Sequence, residues 1–478
     1  MKILFVFSCD FNAQPLGIMT LAAVLKKHGH CCEFLDLKFE SNIINKIKKI
    51  KPDIIAYSVV SFNWNFYKTI NLKIKKKYSC FSIFGGPHCS TYPDFIYEEG
   101  VDAICIGEGE EALLELTDKL QNNQNITDIK NLWIKKDGIV YKNEIRPLID
   151  NLDLLPFPDQ ELIRKYQFYK NSGTYYFITS RGCKYNCPYC INHFYKKLYF
   201  NKGKYIRSRS VESAISELLI LKNKYKAKLI VFVDDIFILD EEWLLKFAVQ
   251  YKEKINLPFE SYIRVELTNS KILSALKEMG CIAVYLGIET GNEVFRNKIL
   301  GRSMTNEQII NTSILVQQFG IKTMALNMMG LPDETLDNAI ETLLLNATCK
   351  ITYPLCFIFQ PFPNLELTSY AIEKGYFDGN INSYHRSFNN GKSLIDSPDR
   401  KRIERLHLLF LIGVKMPWLV PVIKRLIKLP LDAVYRFIYF ISKSYVLIFI
   451  LKKPFLKQYL LFNIKFGFYK TMPFLIKK

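Results

Sequence analysis

Cys183, Cys187 and Cys190 lie in the stretch Thr-Ser-Arg-Gly-Cys-Lys-Tyr-Asn-Cys-Pro-Tyr-Cys, a C-x3-C-x2-C spacing. Three thiolates on one short loop can hold three corners of a 4Fe–4S cluster. Electron-transfer clusters are held by four cysteines, so a triad leaves one iron open to bind a substrate or cofactor. Zinc is the competing account, but zinc sites show paired C-x2-C units with a fourth Cys or His at a recognisable distance. His193 is close by, yet no second pair follows, and the spacing favours the cluster.

More residues able to do chemistry follow the triad. Asp234 and Asp235 stand side by side, Arg264 lies in Tyr-Ile-Arg-Val-Glu, and Glu289 lies in Leu-Gly-Ile-Glu-Thr-Gly. Either aspartate can hold an ammonium by a charge-assisted hydrogen bond, or cap the helix that opens near Glu241. Arg264 can pair with a ligand carboxylate or form an internal bridge to Glu266 or Glu289. Glu289 can accept two hydrogen bonds from hydroxyls. Gly330 and Pro332, in Gly-Leu-Pro-Asp-Glu, predict a tight turn whose backbone comes close to a ligand.

Two α/β series must position these groups. In the first, strands are predicted at Lys2–Phe7, Cys31–Leu37, Ile54–Ser58, Phe81–Phe84 and Ala103–Ile106, with a helix at Leu16–Lys27. The continuous apolar runs suit strands covered on both faces. The series reads as a doubly wound, flavodoxin- or Rossmann-like parallel sheet, whose ligands sit beyond the strand C-termini. Residues 126–170 read as a connector with a hairpin around Asp137-Gly138. The second series has strands at Tyr175–Thr179, Leu229–Val233, Glu260–Val265, Ala283–Gly287, Lys322–Met329 and Cys356–Pro361. Helices between them include Glu241–Ile255. Six βα units predict a partial or full barrel, with functional groups at the strand C-termini. The expected division is 1–125, 126–170, 171–370 and a helical, basic region at 371–478.

The triad and the ordered strand-end motifs resemble the radical S-adenosylmethionine superfamily, and the N-terminal sheet resembles the cobalamin-binding domain of its cobalamin-dependent branch. The resemblance covers roughly residues 1–370. It implies a partial (βα)6 radical SAM barrel and three cofactors: a 4Fe–4S cluster on Cys183, Cys187 and Cys190, S-adenosylmethionine, and cobalamin. It places S-adenosylmethionine near Tyr189, Asp234 or Asp235, Arg264, Glu289, Gly330 and Pro332. It places cobalamin near Leu16, Gly17, Ser58, Gly85, Gly86, His88, Gly107 and Glu108. Small residues there let a broad, flat corrin approach the strand ends. Many cobalamin domains carry D-x-H-x-x-G, whose His ligates cobalt; here Asp10-Phe11-Asn12-Ala13-Gln14-Pro15 has no His. His88 is not expected to replace it as the axial ligand.

The implied activity is methylation of an unactivated carbon of a small molecule, lipid-like or a secondary metabolite, with electrons from a flavodoxin- or ferredoxin-type donor. Oxidative cyclisation or rearrangement with the same cofactors is the alternative, and a non-catalytic cofactor-binding sensor the third. Composition agrees with a folded enzyme: hydrophobic residues make up 49% of 478, which excludes general disorder. The opening Met-Lys-Ile-Leu-Phe-Val-Phe-Ser is apolar for too few residues to be a secretory signal. The scattered cysteines fit a reducing cytoplasm.

Net charge is +19, but from Lys401 onward sixteen Lys and Arg face two acids, so that segment carries +14. A basic core surface for nucleic acid is therefore not indicated. Apolar runs in the tail are broken by Lys415, Arg436 and Lys443, and none is long enough to span a bilayer. The tail predicts either helices lying on an anionic membrane surface or a cap over the barrel mouth.

Overall fold

The computed structural model describes residues 1–8, 13–384 and 391–445. The expectations for residues 10–12 and for the chain beyond Tyr445 lie outside the described residues.

The first sheet has seven strands: β1 (Lys2–Phe7), β2 (Cys31–Asp36), β3 (Ile54–Ser58), β4 (Phe81–Gly85), β5 (Ala103–Cys105), β6 (Leu132–Lys136) and β7 (Ile139–Lys142). Their order is β2-β1-β3-β4-β5-β6-β7. Alternation explains the apolar runs. Ile3 and Phe5 face Ile18, Met19 and Ala22 of helix Leu16–Lys27, whereas Leu4 and Val6 face Trp64 and Tyr67 on the other side. The hairpin expected in the connector belongs to this sheet. β6 pairs antiparallel with β5, and Leu132 and Ile134 are buried in the same core as Ala103. An alternating apolar face had to be covered, and the sheet edge covers it.

The second unit contains β8 (Thr174–Phe177), the short antiparallel pair β9 (Ser180–Arg181) and β10 (Arg207–Ser208), then β11 (Leu229–Phe232), β12 (Phe259–Ile263), β13 (Cys281–Glu289), β14 (Lys322–Met329) and β15 (Tyr353–Ile358). Six parallel strands run in the order β15-β14-β13-β12-β11-β8, a partial barrel with β8 and β15 at its edges. Ile230, Phe232, Val284 and Leu286 face the outer helices. Ala283, Tyr285, Met324 and Tyr353 face inward. Capping boxes start helices Asn306–Gln318 (Thr305 with Gln308) and Leu336–Thr348 (Thr335 with Asn338), satisfying donors that a helix start otherwise leaves orphaned. The helix from Glu241 stops at Gln250 and widens into a π turn at Tyr251–Ile255. That turn carries the buried Tyr251 hydroxyl, which donates to the Leu257 carbonyl at 2.9 Å.

The described part of the tail packs on the second unit. Helix Arg400–Lys415 runs along the free edge of β15. His407 Nε2 lies 3.0 Å from the Cys356 carbonyl, and Lys415 Nζ donates to the Ile351 carbonyl at 2.6 Å. Ile403, Leu406, Leu409 and Phe410 pack on Met329, Leu343 and Ile358. An edge strand needs such a cover. Helices Val420–Leu426 and Asp432–Tyr445 follow. No described helix is long and apolar enough to cross a membrane.

Candidate cofactor sites

β8 delivers the chain to the cysteine loop, and Asp234 at the end of β11 holds that delivery in place. Its Oδ1 accepts from the amides and hydroxyls of Thr179 and Ser180 at 2.7–2.9 Å. Burial pushes its carboxyl up to about 6 against those hydrogen bonds. Gly182 then turns the chain with φ 95, and a Cβ there would press on the Tyr205 carbonyl. Only glycine takes that conformation without strain.

Cys183, Cys187 and Cys190 are all free, the first two buried and the third half-buried. The Cys190 amide donates to the Cys187 carbonyl at 3.0 Å, and Cys190 caps helix Ile191–Leu198. Burial pushes the Cys190 thiol up to about 11, with the charges of Asp235, Cys187 and Cys183 adding to it. Burial also raises Cys183, where Cys187 acts in the same direction. Among the described residues no three His, Cys, Asp or Glu side chains converge on one ion. A guanidinium stands beside this loop, Arg264 Nη1 lying 3.9 Å from Cys187 Sγ, where positive charge favours the thiolate form that ligates iron.

The remaining strand ends surround this loop. Asp240, rather than Asp234 or Asp235, caps the following helix by accepting from the Trp243 amide at 3.1 Å. Asp235 keeps solvent-accessible surface in a crowded position. Crowding raises its pKa, against hydrogen bonds from Asn192 and the Gly182 amide. Arg264 lies flat over Tyr185, 3.4 Å from the ring centre, and bridges Glu266 at 2.5 Å. Glu289 pairs instead with Arg302, at 2.6 Å, and Arg302 also reaches the Tyr189 hydroxyl at 3.4 Å. Glu289 holds a left-handed φ of 66, unusual for a glutamate and characteristic of functional positions. Burial pushes its carboxyl up despite Arg302. Gly330 and Pro332 form the turn after β14, where Glu334 accepts the Gly330 and Leu331 amides at 2.5 and 3.1 Å.

A large cleft opens where the two units meet. Its volume is about 360 Å³, within the usual 300–1,000 Å³ of small-ligand pockets. One wall is strand ends of the first sheet, with Leu16, Gly17, Ser58, Gly85, Gly86, Gly107 and Glu108. The other wall brings Phe157, Tyr176, Phe177 and Arg181. Gly86 has φ 96, and a Cβ would come within 2.8 Å of the Val59 carbonyl. Small residues on the strand-end wall, Gly17, Ser58, Gly85 and Gly86, suit the approach of a broad, flat corrin.

One expected corrin contact, His88, lies elsewhere. His88 is absent from the cleft lining; its ring is buried between Trp64 and Tyr92, with Nδ1 3.1 Å from Ser61 Oγ. Burial pushes it down to about 3, so it is a neutral core histidine. The Glu108 carboxylate is turned to Arg181 and Arg207, at 2.9 and 2.8 Å. Sequence reasoning missed Arg302, Arg207 and Tyr199. Arg302 follows a helix-ending Gly301 and carries no motif, so only spacing could have suggested it.

Fold and sites together define an enzyme with a corrinoid sheet docked on a radical half-barrel. Residues 177–345 match the Radical SAM superfamily and residues 4–117 the B12 binding domain. An uncharacterized methyltransferase of Pyrococcus horikoshii, PH0819, is 32% identical over 371 residues, 76% of this chain and 79% of its own. The cytidylyl-2-hydroxyethylphosphonate methyltransferase of Streptomyces wedmorensis is 22% identical over 79% of this chain and 81% of its own. The radical S-adenosylmethionine methyltransferase TsrM of Kitasatospora setae, solved with cobalamin and a [4Fe-4S] cluster, has the same fold. Its TM-score is 0.65 at 16% identity, over 78% of each chain. The chain belongs to the cobalamin-dependent radical S-adenosylmethionine methyltransferase family. The family's cofactors are a 4Fe–4S cluster, S-adenosylmethionine and cobalamin.

Proposed function

We propose that this enzyme methylates an unactivated carbon of a small molecule held between the cleft and the cysteine loop. The observation that carries the reading is Arg181. It lines the cleft at the strand ends of the first sheet and stands two residues before Cys183, so the two cofactor sites share one wall. The bound cofactors supply a carbon radical and a methyl group; the chain holds, orients and shields them. Cys183, Cys187 and Cys190 hold the cluster. Asp235, which stays solvent-accessible, takes the ammonium of S-adenosylmethionine, because Asp234 is buried with its Oδ1 bonded to Thr179 and Ser180. Glu289 accepts ribose hydroxyls, with Arg302 and Tyr189 fixing its carboxylate. Arg264 keeps positive charge beside Cys187, and the Gly330–Pro332 turn offers backbone to the adenine. Leu16, Gly17, Ser58, Gly85 and Gly86 form the corrin seat.

Radical chemistry needs one-electron input, and a flavodoxin- or ferredoxin-type protein is the donor that suits a cytoplasmic enzyme. The tail also supports contact with an anionic membrane surface. Trp418, Phe437 and Ile441 are 69%, 46% and 51% exposed, near Lys424, Arg425 and Lys428. Such a surface suits a lipid-like substrate. Cell extract incubated anaerobically with holoenzyme, reductant and S-adenosylmethionine deuterated in the methyl group tests the function. A small molecule gaining a labelled methyl supports it. Products that form without label point to cyclisation or rearrangement instead.

A further inference from the structure

The loop after β5 is tied to the cysteine loop by a partly buried charge cluster that binding a corrin does not require. Glu108 Oε1 accepts from Arg181 Nη1 at 2.9 Å and Arg207 Nη2 at 2.8 Å. Its Oε2 accepts from Arg207 Nη1 at 3.1 Å and from the Ile149 amide at 3.2 Å. Arg181 Nη2 donates to Glu110 at 2.6 Å. Two acids and two arginines balance in charge. Arg181 and Arg207 face each other across the β9–β10 pair, so one carboxylate grips both strands. The backbone is gripped too. The Glu108 amide donates to the Tyr199 hydroxyl at 2.7 Å, and that hydroxyl fills the space a Cβ on Gly107 would need. Tyr199 ends the helix that starts at Cys190. The corrin wall is therefore joined to the cysteine loop at both ends, ahead of Cys183 through Arg181 and after Cys190 through Tyr199.

We propose that Glu108 is a positioning residue: with Arg181, Arg207 and Tyr199 it fixes the separation and orientation of the corrinoid relative to the iron–sulfur cluster. This rests on the corrinoid reading of the cleft. A salt-bridge cluster serving stability alone could sit anywhere; this one spans the two cofactor loops. Buried ionic groups often add little net stability yet fix one arrangement. A fixed arrangement is what two reacting centres in different units need, because an ångström of misplacement costs large factors in rate.

The test uses full-length protein reconstituted anaerobically with cluster and cob(II)alamin, for wild type, Glu108→Gln, Arg181→Lys and Tyr199→Phe. Iron content, cobalamin content and melting temperature are measured for each. Pulsed dipolar and relaxation-enhancement spectroscopy then reads the distance between the reduced cluster and cob(II)alamin. The clamp predicts iron and cobalamin contents within twofold of wild type. It also predicts a distance distribution at least twice as broad in Glu108→Gln, with a smaller broadening in the two conservative variants. Unchanged distance distributions in variants that keep both cofactors overturn the clamp alone. If Glu108→Gln fails to fold, Arg181→Lys and Tyr199→Phe decide between the same two results. Wild type that takes up no cobalamin overturns the corrinoid reading and the clamp with it.

Discussion

Replacing Arg302 by methionine probes the site at the residue that carries no sequence signal. Its guanidinium is 4% exposed and pairs with Glu289 at 2.6 Å. Removing one member of a buried pair costs about 3–5 kcal/mol, because the other charge is left uncompensated. Glu289 escapes part of that cost by binding a proton, since burial already raises its pKa and Arg302 is the main opposing charge. A protonated Glu289 accepts fewer hydrogen bonds from a ribose. Hydrogen bonds to charged groups contribute about 1.5–3 kcal/mol, so affinity should fall roughly 10- to 150-fold. Calorimetric titration of reconstituted protein with S-adenosylmethionine, beside a urea melt, measures both effects. Arg302→Lys restores the charge and should recover part of the affinity. If Arg302→Met binds S-adenosylmethionine as tightly as wild type, Glu289 does not depend on Arg302 and the ribose assignment fails.

Other expectations follow from single observations. Gly182→Ala places a Cβ against the Tyr205 carbonyl at φ 95; iron content should drop severalfold, while cobalamin uptake, which depends on the other wall, persists. Burial pushes His407 down to about 4, so the folded chain favours its neutral form. Its contribution is complete above the ordinary histidine pKa of about 6.5 and is lost as pH falls toward 4, by about 2 kcal/mol at pH 5. Urea melts at pH 7 and 5 should show that loss, and His407→Phe should shrink it. Trp418→Ser combined with Phe437→Ser should weaken sedimentation with phosphatidylserine vesicles at least tenfold; equal sedimentation would remove the membrane-surface reading.

The fold was largely readable because two-sided burial writes itself as uninterrupted apolar runs, as in Ile3–Val6 and Ile54–Tyr57. The triad was readable because its ligands are adjacent in sequence. Contacts between distant segments were not. Glu108 meets Arg207 across 99 positions, and nothing in either neighbourhood announces the other. Asp234 and Asp235 could not be separated in the sequence. The structure separates them: Thr179 and Ser180 both bond Oδ1 of the buried Asp234, whereas Asp235 stays solvent-exposed. The hairpin at Asp137-Gly138 was visible as a turn, but its place on the sheet edge depends on pairing with β5. The tail's apolar residues were visible too, whereas their partner, the free edge of β15, exists only once the barrel stays partial.

The central claim is that a three-cysteine cluster faces a corrinoid in one chain. Anaerobic reconstitution of wild type and Cys187→Ala, followed by iron and cobalamin analysis and quantitation of 5′-deoxyadenosine after reduction with S-adenosylmethionine, tests it most directly. The account predicts one cluster and one corrinoid per wild-type chain with nucleoside release. In the variant it predicts lost iron and no release but retained corrinoid. Iron content unchanged by Cys187→Ala, or wild type that binds no corrinoid, contradicts it.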